Sequence, residues 1–318
     1  MRMSKKYDVI VIGAGPGGMT AALYASRSNL SVLMLDRGIY GGQMNNTAEI
    51  ENYPGFNSIL GPELGEKMYA SATQFGAEYA YGTVSDVIDH GTYKTVKTDE
   101  GEYETKAVVI ATGAEHRHLN VPGEDQYSGM GVSYCAVCDG AFFKGREVAV
   151  IGGGDSAVEE GLYLANLASK VTVVHRRDQL RAQKILQRRA FANDKMSFVW
   201  NAQVESIDGD GQGIKSVKYR DKITGEEKTL PAEGVFIYVG IEPMTEPFKN
   251  LGILNEAGWI ETDETTRTKV PGVFAVGDVR DKHLRQIANA VGEGGLAGQA
   301  VFDYLQELGD TETTVAEK

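Results

Sequence analysis

The chain has 318 residues but only two cysteines and five histidines. No apolar run approaches the roughly 18–20 residues that a membrane-spanning helix needs. So few cysteines exclude a disulfide-stapled scaffold. The histidines, His90, His116, His118, His175 and His283, show no ligand spacing, and no second CxxC exists, so a metal site is not expected. Positive charge is also scarce. Lys and Arg number 32 against 44 Asp and Glu, a net charge of -12, which disfavours general binding to nucleic acid or an anionic membrane. A local basic patch around Arg176 is the exception. The lysines ahead of Val9–Ile12 imitate a signal peptide, but Asp8 interrupts the transition and glycines with Pro16 end the apolar run. The protein is therefore expected in the cytoplasm, where a CxxC is more often redox-active or metal-bound than structural.

What the chain does have is glycine, 39 in all, with a length that suits about two domains. Tyr7–Ile12 is an apolar run of the kind buried on both faces of a parallel sheet. It ends in Gly13-Ala-Gly15-Pro-Gly-Gly18, followed by a helical pattern over Met19–Ser28 and a strand over Ser31–Asp36. Asp36 falls roughly 23 residues after Gly13, near the spacing at which a dinucleotide fold grips a ribose. The same grammar returns later, as a strand at Glu147–Ile151, the turn Gly152-Gly-Gly154-Asp155-Ser156-Ala157, a helix to Leu167 and a strand at Lys170–Val174. Each copy continues into a β-rich meander and a closing strand, Val108–Gly113 and Val235–Gly240. Another strand, Val270–Asp278, and a helix from Arg285 to Leu308 have no sheet of their own to complete, so they are expected to return to the first domain. Residues 309–318 read as a solvated tail.

The expected fold is α/β, with two Rossmann-like, three-layer ββα dinucleotide-binding domains, one inserted into the other. The outer domain comprises residues 1–116 and 246–318, and the inserted domain 117–245, with connections near Glu115–Gly123 and Gly240–Pro247.

Chemistry follows from the departures between the copies. In the first, Gly13, Gly15 and Gly18 supply the tight turn, close approach and helix packing that a diphosphate needs, and Asp36 can accept ribose hydroxyls. In the second, the place of the acid is taken by His175-Arg176-Arg177, with Arg181 further on. Guanidinium groups bind a 2'-phosphate that a carboxylate would repel, which selects NADPH. Cys135 and Cys138 are too close in sequence for their bridge to stabilise much, which leaves thiol-disulfide exchange, with one thiolate attacking and the other resolving. Asp139 is either a proton shuttle or a cap before Gly140. Hydride donor and disulfide need an intermediary, and a flavin in the first site would serve. The helix after Arg285-Gln286 could aim its positive end at that flavin.

With these motifs together, and with Gly41-Gly42-Gln43, Glu51-Asn52-Tyr53-Pro54-Gly55 and Ala111-Thr112-Gly113, the chain resembles the bacterial low-molecular-weight thioredoxin reductases from end to end. The resemblance implies FAD in the outer domain, on Asp36, Arg37, Gly41, Gly42, Gln43, Asn52, Ala111, Thr112, Gly113, Gly277, Asp278, Val279, Arg285, Gln286 and Ile287. It implies NADPH on Gly152, Gly154, Asp155, Ser156, Ala157, His175, Arg176, Arg177 and Arg181. It also implies that Cys138 faces the flavin, that Cys135 attacks thioredoxin, and that Asp139 is the acid-base catalyst. A homodimer and a large rotation of the inserted domain are further implications. Val137 and Ala141 depart from the family pattern, which bears on partner docking, where Phe142 and Phe143 could be either anchor or core.

The leading expectation is thus NADPH-dependent reduction of thioredoxin through FAD and Cys135/Cys138. The alternative is a related flavin-dependent reductase serving another thioredoxin-like or peroxiredoxin-system partner. A flavin thiol oxidase or a ferredoxin-fed reductase would lack the basic His175-Arg176-Arg177 run, and a nucleotide-responsive binding protein would leave the cysteines incidental.

Overall fold

The computed structural model of the chain describes residues 5–47 and 49–316; side chains at 49, 137, 138 and 310–316 lie outside that description. The chain forms two compact units. One comprises the residues up to Glu115 with those from Glu242 onward, the other His116–Ile241.

In the first unit, strand Lys5–Ile12 sits centrally, parallel to Val32–Asp36 on one side and to Gly101–Ile110 on the other. Glu78–Tyr81 extends the sheet beyond Val32–Asp36. Its residues explain its position, because Val9 and Val11 face one core and Ile10 and Ile12 the other, all buried. The first core is covered by α1 (Pro16–Arg27), α2 (Gly61–Thr73) and, from the end of the chain, α6 (Ile287–Ala316). The second is closed by the antiparallel pair Val84–Asp89 and Lys94–Thr98, through Val87 and Val96, together with Phe248 and Ile253. Strand Val273–Ala275 joins the same sheet beside Val108–Ile110. It is shorter than the run Val270–Asp278 suggests, because the chain leaves the sheet for a tight helical turn at Gly277–Val279. The final helix continues past Leu308 to Ala316, where a loose tail was expected.

The second unit repeats the plan with five parallel strands in the order Val132–Ser133, Gly234–Tyr238, Glu147–Gly152, Lys170–Val174 and Met196–Val199. Between Val132–Ser133 and Glu147–Gly152 lies the short α3 (Ala136–Asp139), which carries the dithiol motif. Val148, Val150, Val171 and Val173 meet α4 (Asp155–Leu167) and α5 (Lys184–Phe191) on one face. Ala149, Ile151, Val235 and Ile237 meet a three-stranded meander on the other. Each unit therefore has three layers, with the parallel strands ending at the glycine turns.

Candidate functional site

The two glycine turns solve the same steric problem. Gly13 has φ +104, and a Cβ there would stand 2.3 Å from the Ala111 carbonyl oxygen; Gly152 has φ +153, and a Cβ would stand 2.4 Å from that of Tyr238. Only glycine permits either turn. Gly18 is equally fixed, since its Cβ would lie 2.0 Å from the Gly13 carbonyl oxygen. Ala157 takes that place in the second copy, where it is fully buried. Gly15 and Gly154 are different, because a Cβ on either would meet nothing within 4 Å. These two residues are the N-caps of α1 and α4, and no side chain caps either helix. Each turn thus offers open space in front of helix amides with a positive dipole end, which fits the diphosphate of FAD in the first unit and of NADPH in the second.

Around the first turn, Asp36 accepts hydrogen bonds from the amides of Ala14 at 2.6 Å and Gly38 at 2.8 Å, and its carboxylate has acceptor capacity beyond these two bonds. The segment Gly41-Gly42-Gln43 folds over the turn. The Gly41 amide donates to the Ala14 carbonyl at 2.8 Å, and a Cβ on Gly42 would be 3.3 Å from the Gly15 Cα. Gln43 donates to the Ala114 carbonyl, and the Thr112 hydroxyl to that of Met244 at 2.7 Å. Gly113 adopts φ +72 beside them. The Ala111 amide donates to the Ile12 carbonyl. Asn52 and Gln286 meet directly at 2.8 Å, joining segments far apart in sequence at the start of α6 and Ile287.

Several residues assigned to the flavin have protein partners of their own. Arg37 pairs with Glu115, and Arg285 lies 3.9 Å over the Trp259 ring while donating to the carbonyls of Asp278, Arg280 and Lys282. The Val279 side chain is in the core, so this residue can offer a ligand only its backbone. Burial pushes the Asp278 carboxyl up from its ordinary range, an effect opposed by Lys282 and Arg285. The Gly277 amide donates to Glu293, which also holds Arg280 and Lys282.

Around the second turn, His175 is buried against Gly153, where a Cβ would be 2.5 Å from the imidazole. Burial, then Arg181, Arg177 and Arg176, depress its pKa, which keeps the ring neutral, and its Nε2 has no hydrogen-bond partner among the described residues. The three arginines are exposed and none pairs with a carboxylate among the described residues. The loop carrying Arg181 is held to the turn by its own amide, which donates to the Gly153 carbonyl at 2.7 Å. Asp155 anchors the same loop, accepting from the Gln183 amide at 2.6 Å and side chain at 3.0 Å. Its carboxylate serves the loop, while Ser156 stands exposed beside it.

Cys135 is disulfide-bonded, and no cysteine among the described residues is free; the side chain of Cys138 lies outside them. The motif is pinned from both ends, by the Ser133 hydroxyl accepting from the Cys135 amide at 3.0 Å and by the Asp139 amide donating to the Cys135 carbonyl at 3.2 Å. Asp139 occupies the N-cap position of the helical turn Gly140–Phe143, yet its carboxylate makes no capping bond. Phe142 is 73% exposed, whereas Phe143 is 7% exposed and packs edge-on against Phe236, so Phe143 belongs to the core and Phe142 does not.

Two clusters near the dithiol escaped the reading of the sequence. Glu124, 2% exposed, accepts from the amides of Leu119 and Asn120 and from the Tyr134 hydroxyl at 2.6 Å, and that hydroxyl also lies 2.8 Å from His118 Nδ1. Tyr238 accepts from the Ala136 amide at 3.0 Å. A buried acid two residues after a proline was the only local signal, and nothing local marked Tyr238. Among the described residues, no group of three or more His, Cys, Asp or Glu is placed to hold a metal, and no helix is long and apolar enough to cross a membrane.

The model of the pyridine nucleotide-disulphide oxidoreductase family matches residues 7–294. The chain is 61% identical over 304 residues to thioredoxin reductase of Listeria innocua, covering 96% of this chain and 95% of that protein. It is 58% identical to that of Bacillus subtilis, covering 99% and 100%. Among solved structures, thioredoxin reductase of Lactococcus lactis superposes with a TM-score of 0.93 at 54% identity, covering 95% of this chain and 99% of that one. Two nucleotide turns, one CxxC and full-length likeness at this identity leave one conclusion: the chain belongs to the pyridine nucleotide-disulphide oxidoreductases and, within them, to the thioredoxin reductases.

Proposed function

We propose that the protein reduces the disulfide of oxidised thioredoxin with electrons from NADPH, using Cys135 and Cys138 as the exchanging pair. The observation that carries this reading is the placement, in one chain of this family, of two open glycine turns and a dithiol motif with its own rigid support. When bound, FAD supplies the two-electron link between a hydride donor and a disulfide.

The chain's residues do the rest. Gly13, Gly15 and Gly18 with Asp36, Gly41 and Gly42 would hold the flavin's diphosphate and ribose, and Asn52 with Gln286 would close over it. Gly152, Gly154 and the start of α4 would hold the NADPH diphosphate, with Arg176, Arg177 and Arg181 on the 2'-phosphate. A neutral His175 packs the floor of that site without adding charge. In the reduced protein the Cys135 thiolate attacks a sulfur of the thioredoxin disulfide, giving a mixed disulfide and a thioredoxin thiolate. The Cys138 thiolate then attacks Cys135 Sγ, restoring the intramolecular disulfide and releasing the second thioredoxin thiolate. Asp139, adjacent and uncommitted to a cap, would deliver a proton to the leaving sulfur. Exposed Phe142 supplies an apolar contact for the partner. The functional form would be a homodimer in the cytoplasm.

The test is NADPH-dependent reduction of thioredoxin by the Cys138→Ser variant. Turnover should vanish while the flavin is still bleached by NADPH. Turnover at the wild-type rate would overturn the relay.

A further inference from the structure

Tyr238 touches both working parts of the second unit. Its carbonyl crowds Gly152 of the nucleotide turn, and its hydroxyl accepts the amide hydrogen of Ala136, between the two cysteines in sequence. Beneath the dithiol segment runs α4. A Cβ on Gly140 would stand 3.1 Å from Leu164 Cδ2 and 3.3 Å from Leu167 Cδ1, so these leucines support the segment directly. Glu160 lies one helical turn before Leu164 on that face. Its Oε2 is buried and has no hydrogen-bond partner among the described residues. A carboxylate oxygen that is buried and unpartnered, on the helix that supports the dithiol segment, is costly to maintain, and neither nucleotide site as proposed above uses it.

We propose that Glu160 is a positioning residue for the dithiol: acting across Tyr238, its carboxylate opposes ionisation of the cysteine pair in the reduced protein, and protonation of Glu160 lifts that opposition. Burial pushes the Glu160 carboxyl up to about 7, with Glu159 adding to the effect, so the switch falls near neutral pH. The Tyr238 phenol is raised by its own burial and then by Glu160, which locates the two groups within each other's field. The other titratable groups around them are Asp139 on the dithiol segment, which also acts on Tyr238, Tyr163 of α4, whose ring a Cβ on Gly140 would meet at 3.5 Å, and His116, whose ring meets Tyr238 edge-on with centroids 5.9 Å apart. The turn Gly140–Phe143 contributes none. Glu160 and the thiols then titrate as coupled groups, and each shifts the other.

The inference rests on Cys135 and Cys138 being a redox dithiol, and the experiment separates the two. The FAD-loaded protein is reduced with a phosphine, freed of reductant without oxygen, and alkylated with iodoacetamide across about pH 5.5 to 9.5, a range that spans the values expected for these groups. The wild type should show an inflection near 7 in addition to those of the two thiols. Glu160→Gln should lose that inflection, with the thiol pKa values lower by about one unit, a roughly tenfold gain in thiolate at fixed pH. Tyr238→Phe keeps the carboxyl but frees the Ala136 amide, so it should retain the inflection near 7 and alkylate faster at every pH. A wild-type profile with no inflection near 7, or coincident profiles for wild type and Glu160→Gln, overturns the proposal; the wild-type curve decides even if a variant fails to fold. If NADPH frees no thiols while the phosphine frees two, the functional reading fails, and the profiles still decide on Glu160.

Discussion

Replacing Arg176 and Arg177 together with glutamine should remove the preference for NADPH while sparing NADH. Both guanidinium groups are exposed, with no carboxylate partner among the described residues, so they are free for a ligand bearing one and a half to two negative charges. A hydrogen bond to a charged group contributes about 1.5–3 kcal/mol, and solvent exposure places these at or below the low end, about 1–1.5 kcal/mol each. Losing both should cost about 2–3 kcal/mol, a roughly 30- to 150-fold fall in kcat/KM for NADPH. For NADH, which lacks the phosphate, the change should stay within about threefold. The assay is the rate of NADPH- or NADH-driven thioredoxin reduction over a range of each nucleotide. A second reading comes from His175, whose pKa these arginines help to depress; its imidazole should titrate at higher pH in the variant, measured by proton NMR. An equal loss with both nucleotides would refute the phosphate assignment and leave the arginines as general supports of the loop.

Further outcomes follow from contacts within each unit. Gly15→Ala places its methyl in open space, so the protein should fold and lose FAD on dialysis, whereas Gly18→Ala drives a methyl to 2.0 Å from a carbonyl oxygen and should cost about 1–3 kcal/mol or more of stability as well. Flavin content and a denaturant midpoint separate the two. Phe143→Ala should destabilise by about 3–5 kcal/mol, and Phe142→Ala by less than about 0.5 kcal/mol while raising the KM for thioredoxin. Glu160 should also make stability depend on pH. Below its ordinary value of 4.5 it is protonated in both folded and unfolded chains, and as pH rises to about 7 the unfolded chain ionises it first. Stability should therefore fall by roughly 3 kcal/mol over that interval, and Glu160→Gln should lack this fall when both are denatured at about pH 4 and about pH 8, points that bracket the interval.

Much of this was legible in the chain because the decisive features are local. A glycine turn must follow its strand, and Val9–Ile12 or Val148–Ile151 must be apolar at every position when both faces are covered. The substitution of basic residues for the acid after the second turn is equally local. Pairings between distant segments leave no such trace. Arg37 with Glu115, Arg285 on Trp259 and Asn52 with Gln286 are contacts between distant segments, made by residues for which the resemblance implied a place at the flavin. Asp155 makes a like contact, its carboxylate accepting from both the amide and the side chain of Gln183. Phe142 and Phe143 are chemically identical neighbours, and only the placement of Gly234 and Phe236 makes one of them core. The terminal helix runs to Ala316, past its expected end at Leu308.

The central claim is that electrons reach thioredoxin only through Cys135 and Cys138. It is tested most directly by reducing the FAD-loaded protein with one equivalent of NADPH under argon, adding oxidised thioredoxin, and following the flavin absorbance in wild type and Cys135→Ser. The wild-type flavin should regain its colour as thioredoxin thiols appear, and the variant should stay bleached. Recovery of colour and thioredoxin thiols at the same rate in the variant would contradict the account.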